Sequence, residues 1–421
     1  MALKIIENKI VGIIDNLEDK LEGKLPINRL ELLVLVNSWG RSETFVTYNS
    51  NNNRIKIEEC EATQSEQTGF VRKECYNLSK LDTSEITDMS NIFRNTEFNN
   101  IHSSNGVGLH NDIHSKNGIG LHNQSLNWDT SNVTSMERMF CNAENFNQPL
   151  NFDTSKVTNM ELMFGFAKKF NQPLNFDTSK VTNMKEMFSF ARVFNQELKF
   201  DTSNVTNMDS MFYRAVNFNS SLPWNTSNVT TMVGMFDNAI EFNQPLNWNT
   251  SNVTNMEWMF CYARDFNQEL NFNTSNVTDM TGMFYNARSF NQPLNFDTSN
   301  VKNMEWMFYN AREFNQPLNW DTSNVTNMEW MFSYARSFNQ AINFDTSNVT
   351  AIDYMFCETS AFKDKYNNGE PLSTNTNDIK EWLNNNREKM NELDIKDKYG
   401  DQIDDFFFNI KKMDNSIREN K

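Results

Sequence analysis

Four histidines, His102, His110, His114 and His122, are the chain's full complement of imidazoles. They lie in IHSSNGVGLHND and its near copy IHSKNGIGLHNQ, a 12-residue tandem duplication running from Ile101 to Gln124. Clustered imidazoles can ligate zinc or nickel. No Cys or carboxylate stands near them at a usual ligand spacing, and one copying event accounts for all four. They are therefore read as passengers in a surface loop, with metal ligation as the alternative. A second candidate is the row Asp129, Asp153, Asp177, Asp201, Asp297, Asp321 and Asp345, which recurs at a fixed interval. Paired carboxylates can exchange protons or hold calcium. Yet Asn225, Asn249 and Asn273 take the same place with nothing else altered, and that exchange suits a turn cap, where either residue serves. The chain has no G-x-S-x-G, phosphate loop, glycine-rich dinucleotide loop or H-E-x-x-H. The expectation is no enzyme, no catalytic residue and no cofactor.

The stronger signal comes from residue types that dominate protein interfaces, namely Trp, Tyr and Arg. Trp258, Trp306, Trp330 and Tyr354 share one register, Tyr262 and Tyr334 another, and Arg264, Arg288, Arg312 and Arg336 a third. These ten residues are the candidate contacts for an unknown protein partner. The competing reading is a solvated face. In it each Arg stacks on the Trp of a neighbouring unit or pairs with Glu257, Glu305 and Glu329.

These registers exist because the chain repeats. Trp128, Phe152, Phe176, Phe200, Trp224, Trp248, Phe272, Phe296, Trp320 and Phe344 are spaced 24 residues apart. Counting positions from that aromatic residue, the unit is (W/F)-(D/N)-T-S-(N/K)-V-T-N-M-x-x-M-F-x-x-A-x-x-F-N-Q-x-L-N. A weaker copy starts at Leu81. Periods of 20 to 50 residues indicate stacked units that cannot bury an apolar face alone. Within the Trp320 unit, Val325, Met328, Met331, Phe332, Ala335 and Phe338 recur at steps of three and four, which predicts a short helix or helical turn. Thr326 and Glu329 read as its capping box. Leu318-Asn319-Trp320 has strand spacing. The expected fold is an α/β repeat solenoid, leucine-rich-repeat-like, with one short parallel strand and one short helical segment per 24-residue unit, and terminal caps. Asn147, Asn171 and their successors, just after a buried Phe, predict a ladder in which each Asn satisfies backbone groups of the turns.

Domain organisation follows. Residues 1–80 form an N-terminal cap, and 81–127 a degenerate first repeat with the duplicated insertion. Residues 128–367 are the ten-repeat array, and 368–421 a helical cap around Trp382 and Phe406. The insertion is half a unit long per copy, so a coil that keeps the stack in phase is the alternative to the surface loop. A net charge of −16 disfavours nucleic acid and anionic membranes, and no apolar run is long enough to cross a bilayer. The start MALKIIENKIVGIIDNLEDK lacks a signal-peptide core. A cytoplasmic or virion setting is therefore expected. Cys141, Cys261 and Cys357 share one register several units apart, too far for disulfides.

DTSNVTNMEWMF (Asp321–Phe332) and FNQPLNW (Phe314–Trp320) resemble the BspA-like leucine-rich-repeat surface-protein family. The likeness is to the variant abundant in mycoplasma lipoproteins and also met in giant viruses. The FNQPL half is also similar to FNIP-repeat proteins, a second choice because those lack the DTSNVTNM half. The resemblance covers about residues 81–367 and implies a curved solenoid used for adhesion or protein binding. The expected function is a non-enzymatic scaffold for protein recognition or adhesion. The alternatives are a structural spacer in a virion or envelope and an intracellular adaptor.

Overall fold

In a computed structural model of the chain, the residues described are 4–6, 9–11, 20, 23–32, 46–48, 54–56, 62–65, 69–72, 81–94, 126–342 and 344–362. The duplicated insertion with its four His, Cys60, Cys75 and the expected C-terminal cap helices lie outside them. Three short antiparallel hairpins belong to the N-terminal part: β1 (Lys4–Ile6) with β2 (Lys9–Val11), β3 (Val46–Tyr48) with β4 (Arg54–Lys56), and β5 (Ala62–Ser65) with β6 (Gly69–Arg72).

From residue 81 onward, each unit is a coil laid on the next. Parallel bridges join position 8 of successive coils, Ser135 to Asn159 to Asn183 and on through Asn327 to Ala351. Around each bridge the amides alternate in direction. Thr158 N–H donates to Thr134 O of the preceding coil, while Met136, Arg138, Phe140 and Asn142 donate to Asn159, Glu161, Met163 and Gly165 of the following one. The same pattern recurs along the stack.

The expected helix is not there. Between residues 126 and 358 the described residues form turns and bridges but no α-helix. The reason is visible in the amides. In a helix every N–H would go to the carbonyl four residues back. Here the amides at positions 9, 11, 13 and 15 cross to the next coil, and those at 12, 14 and 16 close i→i+3 turns, as in Met139 to Met136, Cys141 to Arg138 and Ala143 to Phe140. Chained tight turns also bring every third or fourth side chain inward, so the apolar spacing suited either structure. Positions 11 and 15 hold φ between 52° and 60° in every coil from Arg138 to Glu358, which interrupts any right-handed helix. The capping box is absent too: Thr326 Oγ1 donates to Lys302 O, and the Glu329 amide is held by Asn327 Oδ1 at 2.9 Å. The paired segment also differs from the expectation. It is the T-N-M stretch in every coil, whereas among the described residues the L-N-W stretch pairs only at Leu126–Leu150 and Leu246–Leu270.

The core is a set of columns. Val at position 6, Met at 9 and 12, Phe at 13, Ala at 16 and Phe at 19 are fully buried through most coils. Phe rings at position 13 stack on the next coil, 5.7 Å between centroids for Phe164–Phe188 and Phe212–Phe236, and lie 4.0 to 4.3 Å from Phe at position 19 of the same coil. Each such contact adds roughly 0.5–1.5 kcal/mol to the area term. Trp and Phe interchange at position 1 because the extra indole N–H finds a carbonyl, Trp248 Nε1 to Leu222 O at 3.0 Å.

Polar ladders tie the coils together at the rim. Thr at position 3 is buried and donates to the position-2 carbonyl of the following coil, Thr250 Oγ1 to Asn273 O at 2.9 Å. Asn at position 20 accepts from the amide one coil on, Asn291 N–H to Asn267 Oδ1 at 2.9 Å. This ladder lies at the half-exposed rim, not inward. Asp at position 2 caps its own turn, with Ser155 N–H on Asp153 Oδ1 at 2.9 Å, and Asn249 does the same for Ser251 at 3.1 Å. Hydrogen bonds from the Ser hydroxyl and amide hold these exposed carboxylates below their ordinary pKa. This is turn chemistry, consistent with the free exchange of Asp and Asn.

The weak first copy stacks directly on the Trp128 coil. Asp88 bridges Ser135, and the Phe93 and Phe140 rings lie 5.2 Å apart. The coils on either side of the insertion are thus direct neighbours at that bridge, while the insertion itself, and the coil it would form, lie outside the described residues. Below it, Pro26 bridges Asp82 and Ile27 is fully buried. Cys141, Cys261 and Cys357 are buried and form no disulfide.

Candidate partner-binding surface

Positions 10 to 17 form the turn face of the stack. Its backbone demands a left-handed residue at positions 11 and 15 in each coil, which costs an L-residue roughly 1–2 kcal/mol. Gly234 and Gly282 meet that demand at position 11, and Asn142, Asn238, Asn286 and Asn310 at position 15. Elsewhere bulky residues accept it: Trp258, Trp306, Trp330 and Tyr354 at position 11, Tyr262 and Tyr334 at position 15. Leu162 with Phe166, Glu186 with Phe190, and Ser210 with Arg214 carry the same φ in the earlier coils. The strain thus belongs to the coil and not to a site.

The structure gathers the aromatic candidates into one strip. Tyr285, Tyr309 and Cys261, all at position 14, are buried, and Trp258, Tyr262, Trp306, Trp330 and Tyr334 pack half-buried against them. Tyr285 and Tyr309 stack at 4.6 Å. The Trp258 indole stands over Gly282, where an added Cβ would fall 2.2 Å from its Cε3 and Cζ3 atoms. Because that side chain is missing, Trp258 reaches Trp306 two coils away, 5.7 Å between centroids. Trp330 stacks on Tyr354 at 4.3 Å. Tyr285 and Tyr309 were missed in the sequence because position 14 also holds Gly, Ser, Asp and Cys. Their clustering with Trp at position 11 was the available signal. Burial, with neighbouring phenol and thiol groups, raises the pKa of both tyrosines, so they remain neutral.

Arg264, Arg288 and Arg312 are half-buried and Arg336 is exposed, one per coil along the edge of the strip. None forms an ion pair among the described residues. The expected partners are engaged elsewhere: Glu257 accepts from Asn255 and Glu305 from Asn327. Arg stacking does occur, but one region earlier, where Arg214 lies 5.0 Å from the Phe190 ring centroid. Burial, then the neighbouring Arg312 and Arg264 charges, lower the Arg288 pKa. On the opposite edge of the strip, Glu257 and Glu305 are pushed up, first by burial and then by nearby carboxylates. The face therefore runs from carboxylates, across Trp and Tyr, to arginines.

Among the described residues no three His, Cys, Asp or Glu side chains are grouped to hold a metal ion, and no helix is long and apolar enough to cross a membrane. No curated protein and no solved structure matches the chain. One family model does, over residues 49–107, 109–223, 198–295, 270–369 and 294–396. Those overlapping matches follow the repeat and together span well over half of the sequence, so the chain belongs to the repeat family described as "Mycoplasma protein of unknown function, DUF285".

Proposed function

We propose that this chain is a non-enzymatic repeat scaffold for protein recognition or adhesion, and that its stacked coils are a leucine-rich-repeat-like solenoid of the BspA-like kind, with FNIP repeats the more distant likeness. The recognition surface is the turn face of the coils starting at Trp248 to Phe344, centred on Trp306 and Trp330. The observation that carries this reading is the break in repeat symmetry. Ladders and core columns are near-identical from coil to coil, and stacking requires that. Trp at position 11 and an unbroken run of Arg at position 17 occur in the later coils only, the earlier ones having the isolated Arg192 and the smaller set Phe166, Phe190 and Tyr213, and uniform stacking does not require them. Half-buried, pre-packed aromatic residues beside Arg are the composition of interface hot spots, because rigid rings lose little entropy on binding.

The test starts from capture of partners by the full chain from its native source, with identification by mass spectrometry. Purified partner is then titrated against wild type and Trp330→Ala. The expected result is at least a tenfold loss of affinity in the variant, with the circular dichroism spectrum retained. Unchanged affinity, or binding that survives removal of the strip but not of the terminal segments, would favour a spacer whose function lies in its ends.

A further inference from the structure

We infer that the partner engages the arginine edge of this strip with an extended, acidic peptide segment, one whose carboxylates fall at alternate residues. This inference rests on the recognition surface proposed above and adds the chemistry of its occupant.

Arg264, Arg288, Arg312 and Arg336 stand at the same position of four consecutive coils. Rungs spaced about 4.8 Å apart put the four guanidinium groups along some 14 Å of the stack. Like charges at that spacing repel, and among the described residues no ion pair answers them. The molecule carries a net charge of −16, yet no carboxylate lies within ion-pair distance of the row among the described residues. Glu241, Asp265 and Glu313, at the next position in the coil, are exposed and unpaired with it. The Nε atoms of Arg264 and Arg288 are buried without a hydrogen-bond partner. The same Nε is orphaned in Arg29, Arg94 and Arg214 outside the row, so what distinguishes the row is its consecutive guanidinium groups without an ion pair among the described residues, to which a carboxylate is the matching acceptor. Arg312 Nε has only the neutral Asn310 Oδ1, at 3.0 Å.

Length and field select the occupant. An extended chain advances about 6.7 Å per two residues, so carboxylates at i, i+2 and i+4 cover about 13 Å, close to the span of the row. The apolar strip beside the row accepts the intervening residues. A nucleic acid duplex fits poorly. It is wider than one row, and its second strand would meet the carboxylate edge formed by Glu257, Glu305, Glu329 and Asp353.

The test uses fluorescence anisotropy of the full chain at low salt. The probes are a labelled octapeptide alternating Glu and Thr, its Gln-for-Glu counterpart, and a labelled single-stranded oligonucleotide. The Glu peptide is expected to bind at least tenfold more tightly than the Gln peptide. Arg288→Ala with Arg312→Ala should weaken it by roughly tenfold or more, as loss of two charge-assisted contacts implies. Arg288→Lys with Arg312→Lys, which keeps the charge and the stem but not the fork, should fall between wild type and the alanine variant and guards against a folding artefact. Equal binding of the Glu and Gln peptides, or no loss in the alanine variant, overturns the inference. An oligonucleotide bound as tightly as the Glu peptide overturns it in favour of nucleic acid. If the captured partner is lost by Trp330→Ala but kept by the arginine variants, the surface stands and the acidic occupant falls. If it is kept by both, the surface falls too.

Discussion

Gly282→Ala, compared with Gly234→Ala, separates backbone strain from the seating of the aromatic strip. Both glycines occupy position 11, with φ of +56° and +59°. An alanine Cβ at Gly234 meets Ser210 Oγ at 3.2 Å and Asp237 Cβ at 3.9 Å, whereas at Gly282 it meets Trp258 ring carbons at 2.2 Å. The other coils hold full side chains at this φ, so alanine can be housed at either site for about 1 kcal/mol of backbone strain. At position 234 that is the whole expected loss. At position 282 the indole must also leave its seat, giving up its packing against Tyr285 at 5.8 Å and Trp306 at 5.7 Å. Half a large aromatic side chain returned to water adds about 1–2 kcal/mol. The expected losses are therefore about 1 kcal/mol for Gly234→Ala and about 2–3 kcal/mol for Gly282→Ala. Urea unfolding followed by tryptophan fluorescence measures both, fitted with a nearest-neighbour model because a stack of repeats need not unfold in two states. Repeating Gly282→Ala in a Trp258→Ala background closes a double-mutant cycle, and there the excess should vanish. Equal losses at the two glycines, or an excess that survives removal of Trp258, would show that the indole does not rest on Gly282.

Asp237 is buried beside the Cys261 thiol, and burial raises its pKa to about 7 against the pull of Cys261 and Arg214. The native state then holds a proton that the unfolded chain, near 3.8, has released. Stability from this group therefore falls as pH rises from about 4 to above 7, and Asp237→Asn should remove that slope. The gain at pH 8, read from melting curves, has a ceiling on the order of 4 kcal/mol; parallel curves for both proteins would contradict this. Asn267→Ala leaves the Asn291 amide without its acceptor and should cost about 1 kcal/mol, while Asn267→Asp keeps the oxygen and should cost less. Equal melting temperatures for the two variants would show that the ladder is not held by that oxygen. Thr250→Val removes a buried hydroxyl that donates to Asn273 O, with an expected loss of about 1–2 kcal/mol; an unchanged urea midpoint would count against the ladder's contribution.

Periodicity made much of this protein legible. The 24-residue spacing of Trp128, Phe152 and their successors located every coil, because a stack must present the same apolar and polar groups at each rung. Exchange of Asp153-type and Asn249-type residues identified turn caps, since both offer the same oxygen. The registers of Trp, Tyr and Arg were likewise visible. Whether Met328-x-x-Met331-Phe332 would be helical was not, because side-chain spacing is blind to where an amide points, and here half of the amides cross to another coil. Only the stacked structure could place Trp258 over Gly282, bury Tyr285 and Tyr309, join Asp88 to Ser135, and leave four arginines without an ion-paired carboxylate among the described residues. Each of these depends on contacts between residues tens of positions apart. The sequence by itself determined the repeated coil; the tertiary structure decided which side chains of neighbouring coils meet, because stacking sets that geometry through backbone hydrogen bonds that no residue pattern encodes.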